Sequence, residues 1–394
     1  MQAALREVSA STKQKTVAVY TLVGEDNYRA LVITPDTISS VSTPIKGKAL
    51  NGKAQQLWRL LRTPEYDPQP AAKEIYDIVF APLAAKLPTD TKTILWSLDG
   101  NLRYVPVSAL HDGKQYLVER YNNVIFTRAD NERLTPNVMP NLKGTGFGSS
   151  ESHTVKLAGE TFNAAALPSV KTELARIFKN GNSTAGILPS EVLLDERFTK
   201  AGMLAELQKR RPVVHIASHF KFEAGDEARS FLLLGDGMTF TLNEMKREQN
   251  LFSGVDLLTL SACQTAAQRA DASGREVDGF AELAQRLGAG AVMASLWEVS
   301  DNSTAELMSR FYKTYNSQTG ANKATSLRSA QIALLRGEYK TASAANRQLT
   351  REDAKISDKI KIDSAKLKPF KAAKTAPFAH PYYWSPFILI GNWK

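Results

Sequence analysis

The feature that most constrains the fold is a series of continuous apolar segments separated by helical patterns. The clearest of these segments are Val213–Ser218, Val255–Ala262 and Ala291–Trp297. Strands that are apolar throughout are typical of parallel sheets buried on both faces, and the intervening helices provide the crossovers. We therefore predict an α/β protein whose mostly parallel sheet carries helices on both faces.

The N-terminal part of the chain shows other patterns. Val17–Val23 and Ala30–Thr34 flank a polar turn and predict an antiparallel hairpin. Apolar residues recur at helical spacing across Ala71–Leu87, which predicts one helix. Pro, Gly and Ser accumulate in Thr135–Ala165 and favour a connecting loop, although Gly146–Gly148 could close a short strand.

Composition and motifs exclude several classes of protein. The chain is 43% hydrophobic and 23% charged, ordinary values for a globular protein rather than a disordered one. It contains no P-loop, no GxGxxG following a strand and no HExxH, and one cysteine cannot form a disulfide or a cysteine-rich zinc site. We therefore expect no cofactor and no metal ion. The apolar stretches are far shorter than the ~20 residues of a membrane span, and the polar N-terminus does not resemble a signal peptide, so we predict a cytoplasmic location without membrane contact.

The excess of positive charge is concentrated in one segment. The formal net charge of the chain is +10, and residues 340–374 alone contribute a net charge of +6. A run of this kind predicts a solvated insertion, or alternatively a patch that binds nucleic acid or an acidic partner. The segment does not have the interleaved aromatic residues of a platform that stacks single-stranded nucleic acid.

A histidine and a cysteine lie at the ends of two predicted strands. His219 follows the strand in VVHIASHF, and Cys263 follows the next strand in VDLLTLSACQT. The carboxyl ends of parallel strands meet at one edge of a sheet, where ligands bind. If the two strands are neighbours, an imidazole and a thiol share that edge, and imidazole can generate the nucleophilic thiolate. An inert buried cysteine remains the alternative.

Of the two histidines in this strand, His219 is the better candidate for chemistry. His215 lies within the strand between Val214 and Ile216, so we expect its ring to pack against a helix. His219 follows the point where the strand ends, and we expect it to reach solvent.

The chain resembles the CHAT domain family, a caspase-like peptidase module that is usually attached to TPR repeats and is related to caspases and separase. The resemblance extends over about residues 15–394. The stretches that carry it are SLDGNLRYVPVSALHDGKQYLVERY (97–121), HIASHF (215–220), RSFLLLGDG (229–237), VDLLTLSACQTA (255–266), GREVDGFAELAQRLGAGAVMASLWEVSDNST (274–304), LMSRFY (307–312), SLRSAQIALL (326–335) and HPYYWSPFILIGNW (380–393).

The resemblance implies a cysteine peptidase with a His–Cys dyad. His219, the second histidine of the His-x-x-Ser-His motif, would be the catalytic base, and Cys263 of Ser-Ala-Cys would be the nucleophile. The oxyanion would be held by the backbone N–H groups of Cys263 and Phe220. Many family members have glycine after the catalytic histidine, and any need for a positive φ at that position would be costly for Phe220.

Substrate recognition is assigned by the same resemblance. In the separase-like branch an acidic residue after the Leu-Trp strand helps to bind a basic P1 side chain. This implies Asp301 first and Glu298 second, although Asp301 also has the position of a helix N-cap. Gln264 would line the same pocket, and Trp297 would belong to the core or the pocket wall.

The resemblance also implies two halves, a non-catalytic one at about residues 1–150 and a catalytic one at 160–394. Such a protein would be a regulated endopeptidase that cleaves a specific protein substrate in bacterial stress or defence signalling. A TPR-containing region or subunit would regulate it. Two alternatives stay open, a catalytically silent interaction module on a caspase-like scaffold and a nucleic-acid-associated module that uses residues 340–374.

Overall fold

A computed structural model describes most of the chain. The described residues are 1–127, 142–179, 186–223, 226–261, 263–265, 275–297, 301–317, 322–339 and 367–394, with the backbone alone at 263–265, 275–278, 301 and 302. The chain forms two compact units. Met1–Phe126 and Leu327–Ile388 form the first unit, and Thr127–Ser326 and Leu389–Lys394 form the second. These boundaries differ from 1–150 and 160–394, and the two halves stay a prediction about the organisation of the family.

The first unit begins with helices and strands in alternation. In chain order they are α1 (Gln2–Thr12), β1 (Lys15–Val23), β2 (Asn27–Ile33), β3 (Ile38–Pro44), α2 (Gly47–Leu61), α3 (Gln69–Val79), α4 (Ala81–Ala84), β4 (Thr91–Ser97) and β5 (Asn122–Ile125). Short 3-10 helices lie at Gly100–Tyr104, Val107–Ala109 and Leu117–Glu119.

The sheet of the first unit combines both strand orientations. Strands β1, β2 and β3 are antiparallel, whereas β4 pairs with β1 and with β5 in parallel. The predicted hairpin is therefore confirmed as β1 and β2. The single predicted helix over Ala71–Leu87 is wrong, because the chain breaks at Phe80 between α3 and α4. Pro82 explains the break, since it has no N–H for the hydrogen bond that a continuous helix would need.

The second unit contains most of the remaining elements. They are β6 (Gly144–Gly148), β7 (His153–Leu157), β8 (Glu160–Ala164), α5 (Val170–Ile177), β9 (Phe178–Lys179), β10 (Leu188–Leu194), α6 (Lys200–Leu207), β11 (Val213–Ala217), β12 (Phe220–Phe222), β13 (Phe231–Leu233), β14 (Thr239–Thr241), α7 (Leu242–Arg247), β15 (Leu257–Leu260), β16 (Cys263–Thr265), α8 (Arg275–Arg286), β17 (Ala291–Ser295) and α9 (Asp301–Tyr315). A 3-10 helix lies at Asp195–Arg197. Three further elements follow, α10 (Lys323–Arg336), α11 (Pro381–Trp384) and β18 (Phe387–Gly391).

The larger sheet of the second unit is parallel. Its strand order is β17-β15-β11-β6-β10-β9, and each of these pairs is parallel. All residues of β11 and β15 are buried, as expected for apolar strands covered on both faces. The mostly parallel α/β fold predicted from the apolar segments is therefore confirmed, and the strands that precede His219 and Cys263 are neighbours.

Two smaller sheets lie beside the carboxyl ends of these strands. One has the order β14-β13-β12-β16, and the other is the hairpin of β7 and β8. The prediction of a connecting loop over residues 135–165 is thus wrong for residues 144–148, 153–157 and 160–164, which form β6 and the hairpin. These strands are short, and the hairpin exposes many polar side chains, so the segment has a loop-like composition. No helix in the described part of the chain is long and apolar enough to cross a lipid bilayer.

Candidate active site

Two neighbouring strands leave the larger sheet together and enter the smaller one. The last backbone contact between them in the larger sheet is the N–H of Ser261, which donates to the carbonyl oxygen of Ile216 at 2.9 Å. In the smaller sheet, β12 then pairs in parallel with β16, and Phe220 lies opposite Cys263. The backbone of Cys263 therefore lies one strand spacing, about 4.8 Å, from the residue that follows His219.

The imidazole of His219 is held by a backbone carbonyl. Its Nε2 lies 2.8 Å from the carbonyl oxygen of Ala165, and the edge of its ring faces Phe162 at a centroid distance of 6.2 Å. A carbonyl oxygen can only accept a hydrogen bond, so Nε2 carries the proton and Nδ1 is the free basic nitrogen of the neutral ring.

The expectation that His219 reaches solvent is wrong. Its side chain is buried, with 3% of the residue exposed. The hairpin of β7 and β8 provides Phe162 and ends just before Ala165, so the segment expected to be a loop covers the histidine.

The hairpin that leads to Ala165 is itself anchored at two places. An apolar cluster joins it to β13 through Val155, Ala164, Phe231 and Leu233. After the hairpin, the N–H of Leu167 donates to the carbonyl oxygen of Ser150 at 2.9 Å. The carbonyl that orients His219 therefore belongs to a segment fixed on both sides.

Ser150 is in turn fixed by Asp195. The Asp195 carboxylate accepts hydrogen bonds from the backbone N–H of Ser150 at 2.7 Å and from its hydroxyl at 2.9 Å. Burial alone would raise the pKa of Asp195, but these hydrogen bonds and the Lys171 ammonium hold its pKa below the ordinary value. The charged carboxylate is thus the form that holds this turn.

The backbone on both sides of His219 is tied to β13. The carbonyl oxygen of His219 accepts from the N–H of Leu233 at 2.9 Å, and the hydroxyl of Ser218 donates to the carbonyl of Leu233 at 2.6 Å. With the contact to Ala165, these bonds fix both the main chain and the ring of the histidine.

Phe220 occupies the position at which many family members have glycine. Its side chain is buried and packs edge-on against Phe280 of α8 with a centroid distance of 4.5 Å. Phe220 is not among the residues with positive φ, so its backbone does not require glycine. The side chain serves as a packing group beneath the smaller sheet.

His215 lies in a buried polar network that the sequence did not reveal. Its Nε2 lies 2.9 Å from Oε1 of Glu173 on α5, and its Nδ1 lies 3.0 Å from the hydroxyl of Tyr312 on α9. Tyr312 also contacts the hydroxyl of Thr259 at 2.8 Å, and the Ser261 hydroxyl donates to Oε1 of Glu173 at 2.5 Å. The expected packing of His215 against a helix is confirmed, with specific polar partners on two helices.

The proposed specificity residues are described unequally. Gln264, like Cys263, lies in β16, and only its backbone is described. Glu298 lies outside the described residues. Asp301 is the first residue of α9 rather than the residue before it, a difference within the usual uncertainty of helix ends. Trp297 is 2% exposed, as a core residue would be.

Other predicted features give little further information. In the part of the chain that the structure describes, no group of three or more His, Cys, Asp or Glu side chains could hold a metal ion. Most of the basic segment 340–374 lies outside the described residues, which resume at residue 367.

Two functional positions escaped the sequence reasoning. Ala165 acts through its backbone carbonyl, which no side-chain pattern can reveal. Glu173 lies in the first turn of α5 and has the sequence appearance of a surface residue, yet it is 6% exposed. The signal available was its placement on the helix that follows a glycine-rich strand, because glycine permits a close approach of helix and strand.

The parallel sheet with its helices, and the histidine and cysteine segments at its carboxyl edge, define a caspase-like fold. The chain belongs to the CHAT domain family, whose sequence profile matches residues 69–392. No curated protein sequence matches the chain.

Solved structures agree with this fold. A chain of the Saccharomyces cerevisiae separase–securin complex matches with a TM-score of 0.51 at 8% identity, covering 84% of this chain and 29% of that chain. The Arg-specific cysteine proteinase gingipain R matches with a TM-score of 0.42 at 10% identity, covering 88% of this chain and 75% of that chain. This chain thus spans less than a third of the length of the first of these structures.

Proposed function

We propose that this CHAT domain is a cysteine endopeptidase in which Cys263 is the nucleophile and His219 is the acid–base residue. The observation that carries the proposal is the register of the smaller sheet, in which Cys263 lies opposite Phe220, the residue after His219. The family and the caspase-like fold agree with this choice of residues.

The hydrogen bond to Ala165 assigns a role to each nitrogen of His219. Because Nε2–H donates to the Ala165 carbonyl, Nδ1 is the nitrogen that takes the proton of the Cys263 thiol. The carbonyl also stabilises the imidazolium that forms, since its partial negative charge faces the protonated ring.

The reaction then follows four steps in this proposal. The Cys263 thiolate attacks the carbonyl carbon of a peptide bond and forms a tetrahedral oxyanion. The C–N bond breaks, the leaving amine takes the proton from Nδ1 of His219, and a thioester remains on Cys263. Nδ1 next takes a proton from water as the hydroxide attacks the thioester. The C–S bond breaks, the acid product leaves, and the thiol and neutral imidazole return.

The backbone N–H groups of Cys263 and Phe220 are the proposed donors to the oxyanion. They belong to residues that lie opposite each other in the parallel pair of β12 and β16. Backbone donors in fixed strands need little reorganisation when negative charge develops on the oxygen.

The proposed S1 pocket takes a basic P1 side chain. Asp301 at the start of α9 is the first candidate for its acidic residue, with Glu298, Gln264 and Trp297 as further wall residues. Replacement of Asp301 by Asn in a scan of P1 side chains tests the assignment. We expect a loss of preference for Arg and Lys, whereas an unchanged preference would leave Asp301 as a helix-terminal residue only.

Active-site-directed labelling tests the proposed function. Peptidyl acyloxymethyl ketones with varied P1 side chains should form a thioether with the wild-type protein and none with Cys263→Ala. Because Cys263 is the one cysteine in the sequence, the intact mass assigns the adduct without peptide mapping. Cleavage of the corresponding fluorogenic peptides should also disappear in Cys263→Ala.

The alternative of a catalytically silent module predicts a different result. No peptidyl ketone would then react, whatever its P1 side chain, while iodoacetamide would alkylate Cys263 at the rate of a free thiol. That outcome would contradict the proposed function. A specific protein substrate, a regulatory TPR region and a role in bacterial stress or defence signalling belong to the proposal through the family resemblance alone.

A further inference from the structure

The buried network of Glu173, His215, Thr259, Ser261 and Tyr312 lies next to the nucleophile segment without belonging to the proposed dyad. One assignment of protons satisfies its hydrogen bonds. Ser261 and Nε2–H of His215 donate to Glu173, the Tyr312 hydroxyl donates to Nδ1 of His215, and Thr259 donates to Tyr312. Burial raises the pKa of Tyr312, which keeps its hydroxyl proton available as a donor.

We infer that Glu173 is a positioning residue for the nucleophile, and that it acts through the hydroxyl of Ser261. This inference rests on the proposed function, because it concerns the residue two positions before Cys263. Glu173 accepts from Ser261 and from His215 with the same oxygen, Oε1. The carboxylate thus connects the segment before the nucleophile to the centre of β11.

The position of Ser261 makes this contact important. Ser261 is the last residue that β15 ties to β11 before the chain crosses to the smaller sheet. Beyond it, the main chain has only one residue before Cys263 opens β16. A rotation of the Ser261 backbone would therefore be transmitted to the nucleophile, and the charge-assisted bond at 2.5 Å opposes such a rotation.

Glycine residues on β6 allow Glu173 to reach this place. Gly146 lies opposite His215 in the ladder, and a Cβ atom built on it would lie 2.7 Å from the ring of Phe178 and 3.2 Å from Leu174. A side chain at this position would hold α5 away from the sheet. The glycine therefore lets α5 approach closely enough for Glu173 to contact His215.

The test compares Ser261→Ala with Ser261→Thr and Glu173→Gln. We expect Ser261→Ala and Glu173→Gln to lower the maximal inactivation rate with a peptidyl acyloxymethyl ketone roughly 10- to 100-fold, with little change in the apparent inhibitor affinity. The alkylation rate with iodoacetamide, which needs no aligned attack, should stay within about threefold of wild type. Ser261→Thr keeps the hydroxyl and should restore most of the inactivation rate.

Thr259→Val is the matched control, because it removes a hydroxyl at the other end of the network. We expect it to lower thermal stability while the inactivation rate stays near that of wild type. A merely structural network would instead lower the melting temperature in Ser261→Ala and leave its inactivation rate unchanged, which would overturn the inference.

The two proposals fail in different ways. If wild type forms no adduct with any peptidyl ketone, the peptidase proposal fails and the positioning role with it. If wild type reacts and Ser261→Ala and Glu173→Gln both react equally fast, only the positioning role fails.

Discussion

Nε2 of His219 lies 2.8 Å from the carbonyl oxygen of Ala165, at the end of a hairpin that folds over the histidine. This bond determines which imidazole nitrogen carries a proton, and it therefore determines which nitrogen can serve the thiol. The reactivity of the site consequently depends on a segment far from both catalytic motifs in the sequence.

Phe162 should influence the reaction through this hairpin. Its ring contacts the edge of His219, so Phe162→Ala should loosen the imidazole and lower the maximal inactivation rate with a peptidyl ketone by roughly tenfold. Leu157→Ala is the matched control, because Leu157 packs on the same apolar cluster and has no ring contact with His219. Equal inactivation rates in both variants would show that Phe162 has only a packing role.

Phe220 should contribute to stability rather than to chemistry. Its ring is 1% exposed and packs against Phe280, so Phe220→Gly should lower the free energy of unfolding by about 3–5 kcal/mol. Phe220→Leu should cost clearly less, because it refills most of the cavity. Urea unfolding measures both values. A change below about 1 kcal/mol in the glycine variant would contradict the packing role.

His380 should make the stability of the first unit depend on pH. Burial lowers its pKa to about 3, while the hydrogen bond to the Tyr66 carbonyl opposes the shift. The unfolded chain therefore binds a proton near pH 6.5 that the folded chain refuses, and stability falls as the pH drops from about 6.5 towards 3. The contribution amounts to about 2 kcal/mol between about pH 6.5 and 4.5.

His380→Asn provides the matched control for this effect. The His380 side chain accepts from the N–H of Tyr382 as the N-cap of α11, and an Asn oxygen can replace that cap. Urea unfolding at the two pH values should show a pH dependence smaller by about 2 kcal/mol in the variant. The same pH dependence in both proteins would mean that His380 already titrates in the folded state.

Lys323 and Asp256 form a buried ion pair in the second unit. The Lys323 ammonium lies 2.9 Å from both carboxylate oxygens, and the Tyr315 hydroxyl donates to the same carboxylate at 2.5 Å. Lys323→Met leaves a buried charge without its cation and should cost about 3–5 kcal/mol of unfolding free energy.

The double variant Lys323→Met/Asp256→Asn tests whether this cost comes from the uncompensated charge. It should regain part of the loss, because the charge of Asp256 is removed as well. Urea unfolding of the single and double variants gives the coupling between the two residues. Strictly additive losses would contradict a direct charge interaction.

The sequence predicted the larger elements because their signal is strong. Continuous apolar runs identified β11, β15 and β17 and indicated that the first two are neighbours, as the pairing of His215 with Thr259 confirms. The same logic led to His219 and Cys263 as candidates at one edge. Their shared role stays a prediction, to which the register of Phe220 and Cys263 adds support.

What the sequence missed depends on long-range contacts of polar groups. The hairpin of β7 and β8 is short and polar, so neither periodicity nor burial identified it. Its cover over His219 could not be foreseen, and the histidine was expected in solvent. Glu173 likewise gains its role only because Gly146 lets α5 approach the sheet.

The central claim is that His219 activates the thiol of Cys263. The alkylation rate of this one cysteine by iodoacetamide, measured across pH in wild type and His219→Gln, tests it directly. The variant keeps an amide N–H for the Ala165 carbonyl, and His111→Gln, in the first unit, controls for the loss of a histidine. We predict that wild type and His111→Gln react well below the ordinary thiol pKa of about 8.5, and that His219→Gln reacts only near or above it. If His219→Gln follows the same pH profile as wild type, the assignment of the dyad is wrong.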